Sequence, residues 1–381
     1  IDPGLGRKNI LRCIGESEPA GMVVVPLVHA ARKIFPVPFK TLRVAVTAGK
    51  RWFWGGTTLE QAKKLGKESF ESVFLQAESP AAILFTSGST GPPKGVLYTH
   101  RMFHQQMDIL QRHFDIRKGE IDLPTFPLFG LFGAGMGMTS VIPEMDFTRP
   151  AKVDPKNIIQ TVEKYKVTNS FGSPALWDTV TRYCANKNVS LPGLKRILIA
   201  GAPVPGKLLR RFETVVDPDC EIFTPYGATE ALPVSWIERK KILNETWDKT
   251  QQGHGICVGE TLHGLELKII KVTDDPIPDW DSDLELPHGK PGEIAVRAPW
   301  VARVYYNRED DTRLAKIKDG DSFWHRMGDI GRMDDSGSLW FLGRKNQRVI
   351  TSQGTLYTIP SESVFNRHPD VKKSALVGLG D

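Results

Sequence analysis

The stretch Ile83–Val96 holds the densest set of groups able to do chemistry. It reads Ile-Leu-Phe-Thr-Ser-Gly-Ser-Thr-Gly-Pro-Pro-Lys-Gly-Val. An apolar, strand-like run leads into a loop where Thr86, Ser87, Ser89 and Thr90 offer hydroxyls. Gly88, Gly91 and Gly95 free the backbone, and Lys94 adds a point charge. Glycines let successive N–H groups converge on an anion, and an ammonium neutralises it. Phosphate binding is the chemistry that suits this composition; the plainer reading is a surface turn. A P-loop is excluded, because that motif needs Gly at 93 and Ser or Thr at 95, where Pro93 and Gly95 stand. Gly133 and Gly135 are followed by Met138, so the dinucleotide fingerprint is also absent. No G-x-S-x-G nucleophile elbow occurs.

Further reactive groups lie downstream. Tyr226-Gly-Ala-Thr-Glu230 offers an aromatic ring, a hydroxyl at Thr229 and a hard oxygen ligand at Glu230. Asp329 is an acceptor-only carboxylate and Arg344 a cation. Taken one at a time, these read equally well as a core ring, solvated carboxylates and a surface cation. His100 and His104 have helical spacing, but no Glu follows His100, so a helix-surface pair is preferred to a zinc site. His254, flanked by glycines, reads as a loop-packing residue, with a base for a hydroxyl as the sharper alternative. Arg51-Trp-Phe-Trp54 reads as a core edge or as a contact surface for a partner or membrane.

In their order these motifs resemble the ANL superfamily of adenylate-forming enzymes: acyl-CoA synthetases, peptide-synthetase adenylation domains and luciferases. Thr86–Gly95 resembles the phosphate-loop signature, Gly201-Ala202-Pro203 the adenine-contacting turn, and Tyr226–Glu230 with Gly227 the central motif. Gly289–Glu293, Trp324 with Gly328-Asp329, and Gly343-Arg344 resemble the β-region, ribose and hinge motifs. The resemblance implies an ATP-dependent, AMP-forming ligase that uses ATP and Mg2+, with Lys94, Thr229 and Glu230 catalytic and Glu230 on the metal. A carboxylate would attack the α-phosphate, giving acyl-AMP and pyrophosphate by positioning and charge neutralisation.

The opening Asp2-Pro-Gly-Leu-Gly6, Cys13-Ile-Gly15 and the run Gly253–Gly259 resemble most the β-lactone synthetase branch of bacterial long-chain olefin biosynthesis. That implies a small-molecule carboxylate substrate, a long-chain 2-alkyl-3-hydroxy acid, whose 3-hydroxyl closes onto the activated carbonyl. A fatty acyl-CoA or acyl-carrier ligase shares the first half-reaction, and a nonenzymatic nucleotide-binding protein is the third class. Assembly with other enzymes of the same lipid pathway is a partner open to this branch. Phe126–Met138 is expected at the acyl pocket through Phe129, Gly130 and Phe132. Gly130 stands where the family usually has histidine, leaving either a gap for a chain or a helix packed closely through its glycines. Asn346 replaces the usual hinge acid, and the C-terminal lysine of the family is expected beyond Asp381.

The elements that must carry these residues follow from patterning. Met22–Val28, Leu42–Thr47, Ala81–Thr86, Val167–Phe171 and Arg196–Ala200 read as buried strands. Thr99, Asp154 with Pro155, and Ser173 with Pro174 read as starts of helices running to His113, Lys166 and Lys187. This alternation predicts α/β layers with a mostly parallel sheet. After Gly253, Leu265–Val272, Gly292–Arg297 and Ser338–Leu342 predict an antiparallel β region, and Ala375–Val377 a strand. The expected fold is α/β: a large ANL-type N-terminal domain of layered sheets plus a β subdomain, then the start of a small α+β C-terminal domain. The boundaries expected are 1–343 for the adenylation core, its N-terminal part missing, 344–346 for the hinge, and 347–381 for a truncated C-terminal domain.

The composition agrees with a globular, nucleotide-handling protein. Of 381 residues 40% are hydrophobic and 25% charged, and mean hydropathy is −0.26. A net charge of +6, spread along the chain, suits an anionic small substrate and gives no nucleic-acid tail. Cys13, Cys184, Cys220 and Cys257 form no C-x-x-C pair, so a reducing cytoplasm is expected. No apolar run reaches the roughly 20 residues of a membrane span, so no transmembrane segment is expected.

Overall fold

A computed structural model describes the chain except residues 2, 67, 68, 70, 87–90, 380 and 381, and the side chain of residue 3. The chain folds as two compact units: residues 1–100 with 304–310, and residues 101–303 with 311–381.

In the first unit β1 (Gly21–Val24), β2 (Val44–Thr47) and β3 (Thr57–Thr58) form a parallel sheet. The predicted strand Met22–Val28 stops at Val24 because Pro26 opens a helix over Pro26–Ile34. Trp54 is buried, stacked on His29 at 5.3 Å, and its Nε1 donates to Thr47 Oγ1 at 3.0 Å. Trp52 and Phe53 stay exposed, so the core-edge reading of this aromatic cluster holds for Trp54 alone. β4 (Pro80–Phe85) pairs antiparallel with β5 (Gly95–Thr99). The described ends of the phosphate-loop sequence are therefore held together, Phe85 opposite Gly95.

In the second unit β6 (Ile121–Pro124), β7 (Thr139–Ser140), β8 (Asn169–Gly172), β9 (Arg196–Ile199) and β10 (Glu221–Ala228) form a parallel half-sheet, ordered β7-β6-β8-β9-β10. The helices over it start where the sequence indicates. Ser173 Oγ accepts from the Leu176 N–H at the head of Pro174–Lys187, and Asp154 Oδ1 accepts from the Lys156 N–H at the head of Pro155–Tyr165. Leu176, Trp177, Val180 and Cys184 bury one helix face against Ile197 and Ile199. All four cysteines are buried and free.

β11 (Ala231–Glu238), β12 (Ile256–Thr261), β13 (Glu266–Ile270), β14 (Gly292–Arg297), β15 (Lys316–Asp319), β16 (Ser322–Met333) and β17 (Leu339–Arg344) continue the same sheet. Beyond β10 the order is β11-β12-β17-β16-β14-β13, all antiparallel, with β15 on β16. The fold is α/β as expected, but the sheet is parallel only in its first half. The antiparallel part is not an appended layer starting after Gly253; it begins at the β10–β11 turn.

Past β17 come a small hairpin of β18 (Val349–Thr351) and β19 (Gly354–Leu356) and a helix over Thr358–Asn366. This segment stays within the second unit. Gly343 fits closely under Thr358, where a Cβ would lie 2.3 Å from Thr358 Oγ1. Ala375–Val377 forms no strand. Among the described residues no helix is long and apolar enough to cross a membrane.

Candidate active site

Parallel strands end together, and open α/β sheets bind ligands beyond their carboxyl ends, at the point where connectivity changes. The carboxyl ends of β6, β8, β9 and β10 carry most of the sequence-predicted site. Past β6 the helix Pro127–Gly135 brings Phe129 onto Phe171 of β8, stacked at 3.9 Å, and Phe132 to 5.5 Å from Phe103. Past β9 the exposed turn Gly201-Ala202-Pro203 starts with Gly201 at φ +93°. Past β10 Thr229 and Glu230 form the two-residue turn between Ala228 and its partner Ala231, where the sheet changes direction.

Gly130 is buried, and a Cβ there would sit 3.3 Å from Pro124 and 3.6 Å from Ile142. Of the two readings of this glycine, the packed helix is the one observed; its missing side chain opens no gap beside the aromatic rings.

Register irregularity between Tyr226 and Ala228 marks a bulge at Gly227, which re-aims the tyrosine. A Cβ on Gly227 would lie 2.6 Å from the Ala231 carbonyl, so the close approach requires glycine. Tyr226 O–H donates to Asp329 Oδ2 at 2.7 Å, and Arg344 Nη1 donates to Asp329 Oδ1 at 2.7 Å. Asp329 on β16 and Arg344 on β17 are direct cross-strand partners, which fixes their approach. Phe341 packs its ring 5.8 Å from that of Tyr226.

Asp329 is 2% exposed, and burial pushes its carboxyl up to about 6. Arg344 and the Tyr226 hydroxyl oppose that rise, while Glu230 adds to it. Burial and the neighbouring carboxylate push the Tyr226 phenol well up, so it remains a donor.

A second group surrounds the β10–β11 turn. The Glu230 carbonyl accepts from the Ala302 N–H at 2.8 Å. The Ala302 carbonyl accepts from Lys316 Nζ, which also lies 3.0 Å from His325 Nδ1. Burial pushes the Lys316 ammonium down to about 7, and Glu230 holds it up in part. Sequence reasoning missed Lys316, His325 and Phe341. The two polar residues face each other across β15 and β16, and only that pairing reveals them.

In the first unit Thr86 N–H donates to the Lys94 carbonyl at 3.0 Å, and Lys94 N–H donates to Thr86 Oγ1 at 3.1 Å, closing the neck of the hairpin loop. A Cβ on Gly95 would lie 2.8 Å from Ile83, so β4 and β5 meet there only through glycine. Lys94 Nζ lies 5.1 Å from the Tyr305 ring centre, in cation–π range. Gly91 lies exposed between these residues; Ser87, Gly88, Ser89 and Thr90 lie outside the described residues.

The remaining candidates fall elsewhere. His254 is exposed and lies 6.3 Å from Trp340, whose neighbour Phe341 faces Tyr226; alternation along β17 puts the two on opposite faces. The loop-packing reading fits this position. Among the described residues no group of three His, Cys, Asp or Glu side chains could hold a metal ion; His100 and His104 both lie in the helix His100–Phe114. Asn346 sits in a short helical turn flanked by ion pairs: Lys345 to Glu293 at 3.2 Å and Arg348 to Asp274 at 2.6 Å.

Comparison with known proteins decides the family. Residues 1–306 match the model of the AMP-binding enzymes. The chain belongs to the AMP-binding enzyme family. It is therefore an adenylate-forming enzyme, an ATP-dependent and AMP-forming ligase. Among AMP-binding enzymes it is 42% identical to the olefin β-lactone synthetase of Xanthomonas campestris pv. campestris, covering 100% of this chain and 68% of that protein. It is 43% identical to the olefin β-lactone synthetase of Stenotrophomonas maltophilia, covering 100% and 69%. The long-chain-fatty-acid–CoA ligase of Thermus thermophilus is 24% identical over 99% of this chain and 68% of its own length. The fold matches an O-succinylbenzoate coenzyme A synthetase from Bacillus subtilis solved with ATP and magnesium ion, at TM-score 0.76 and 21% identity, covering 100% of this chain and 71% of that one.

Proposed function

We propose that this enzyme activates a long-chain 2-alkyl-3-hydroxy acid as its acyl-AMP and then closes it to a β-lactone. Identity of 42–43% to olefin β-lactone synthetases over the whole chain carries this reading. In the first step a carboxylate oxygen bonds to the α-phosphorus of ATP and the bond to pyrophosphate breaks. In the second the substrate's 3-hydroxyl oxygen bonds to the acyl carbon, AMP leaves with the electron pair of the broken bond, and the hydroxyl proton is released. The attack is intramolecular, which favours it entropically, while ring strain opposes it.

Each residue has a role in this proposal. Tyr226 places its ring along adenine beside the turn Gly201-Ala202-Pro203. Asp329 accepts from the ribose hydroxyls, with Arg344 keeping the carboxylate charged. Thr229 bonds the α-phosphate, and Lys94, with the hairpin loop Thr86–Gly91, neutralises the phosphates. Phe129 and Phe132 flank the acyl chain. Magnesium, when bound, would supply charge neutralisation at the phosphates, and Glu230, a hard oxygen donor, would be its protein ligand. Residues 344–346 are the hinge to a C-terminal domain that begins at 347, and the site of action is the cytoplasm.

The test supplies a 2-alkyl-3-hydroxy acid and ATP without coenzyme A. A β-lactone with AMP and pyrophosphate is expected. Acyl-AMP that persists until a thiol is added would overturn the lactone step and favour an acyl-CoA ligase. Lys94→Ala and Glu230→Ala should each slow acid-dependent pyrophosphate exchange into ATP by roughly 100-fold, the usual loss for a group that stabilises transition-state charge.

A further inference from the structure

A cavity of about 580 Å3 opens over β10, β11 and β12, beside the last turns of the helix His100–Phe114. Ile109, His113, Phe223, Trp236 and Leu262 give it an apolar wall. Arg112, Glu238, Lys241 and Glu260 also line it, with Thr261; Lys241 pairs with Glu260 at 2.8 Å, Arg112 lies 3.8 Å from Asp108, and Glu238 accepts from the Lys240 N–H at 2.5 Å. His113 lies 3.7 Å from Trp236 ring to ring, and burial among aromatic rings pushes it down to about 4. At neutral pH that imidazole is uncharged, so one side of the cavity presents rings and aliphatic groups while the four charged residues line the rest. The apolar wall of a cavity this size can hold a hydrocarbon chain.

The cavity continues a feature that begins at the acyl end of the site. Phe171, Leu198 and Phe223 are cross-strand partners on β8, β9 and β10, so they form one row on one face of the sheet. Phe129 stacks on the first of them, and Phe223 lines the cavity. Two strand spacings separate the ends, about 10 Å. The row is covered by Met107, Met136 and Met138, together with Leu110 and Phe114. Methionine is unbranched and adaptable, and a seam of methionines can part for a hydrocarbon chain where branched residues would resist.

We propose that the cavity receives one hydrocarbon branch of the substrate acid, led there along the Phe171–Leu198–Phe223 row beneath the methionine seam. The proposal rests on an acid substrate with long apolar branches and adds where one branch ends. It makes Ile109 and Trp236 determinants of chain length, remote from the reacting carboxylate.

The test fills the cavity with Ile109→Trp and, independently, Thr261→Trp. The readout is acid-dependent pyrophosphate exchange across acids of increasing branch length. Lactone and CoA-ligase readings share this half-reaction, so a failure of the lactone assay leaves the readout intact. Both variants should lower kcat/KM for long-branched acids at least tenfold while short acids change less than twofold. An unchanged length profile in both variants overturns the proposal. An acid carrying a diazirine at the branch terminus gives a direct reading by irradiation and peptide mapping. Labelling of Ile109 or Trp236 is expected, whereas labelling confined to residues outside the cavity would also overturn it.

Discussion

Two buried aspartates sit in opposite halves of the same sheet and look alike by their titration. Asp122 on β6 is pushed up to about 7 and Asp329 on β16 to about 6, each chiefly by burial, each with an arginine lowering it. Their surroundings differ. Asp122 holds the Asn169 amide at 2.5 Å, and a Cβ on Gly133 would already lie 2.9 Å from its other oxygen. Its arginine, Arg196, is also buried, tied to Glu120 at 3.3 Å and to the Phe114 carbonyl. Asp329 instead meets a half-buried tyrosine and Arg344, whose side chain is 35% exposed. One carboxylate is sealed by packing; the other has partners able to move aside for a ligand. A raised pKa reports burial, and only the freedom of the partners separates a functional group from a structural one.

The comparison breaks if Asp329 proves silent. Asp329→Asn should lower pyrophosphate exchange about 10- to 100-fold, the worth of a charge-assisted hydrogen bond or two. It should leave the apo protein no less stable above pH 6, because a neutral amide relieves a buried charge.

Asp122→Asn should do the converse, with exchange within twofold of the parent. The folded carboxyl binds its proton more tightly than the unfolded one. Its stabilising contribution is therefore full below about pH 4 and is lost as pH rises to about 7. Urea unfolding from pH 4 to 8 should show that loss in the parent and a flatter profile in the variant, with a gain on the order of 1–3 kcal/mol at pH 8. A steep loss of exchange in Asp122→Asn with stability unchanged would reverse the assignment.

The smallest effect sharpens the picture. Tyr226→Phe keeps the stacking ring and removes one hydrogen bond to Asp329, a change of about 1 kcal/mol. Because the ribose must displace that hydrogen bond, the KM for ATP should fall by up to roughly fivefold, with the maximal exchange rate unchanged.

Much of this was legible in the sequence where local physics decides. Ser173-Pro174 and Asp154-Pro155 mark helix starts by capping alone, and Val44–Thr47 and Gly292–Arg297 show their strands by composition. The motif residues Tyr226, Asp329 and Arg344, singled out in the sequence though up to 118 positions apart, meet in the fold. Non-local pairing was not legible. β5 hides behind the glycine-rich loop, and β16 contains Arg326, His325 and Asp329, which no hydrophobic alternation announces. Those charges are tolerated because partners on other strands satisfy them, as Glu293 does Arg326 at 2.7 Å. Lys316 and the cavity beside Trp236 likewise exist only once strands far apart in sequence are registered.

A crystal structure with bound AMP tests the central claim most directly. The account predicts both ribose hydroxyls hydrogen-bonded to Asp329, the adenine against the Tyr226 ring, and Asp122 unchanged in its contact with Asn169. A nucleotide bound away from β10, with Tyr226 and Arg344 still closed over Asp329, would contradict it.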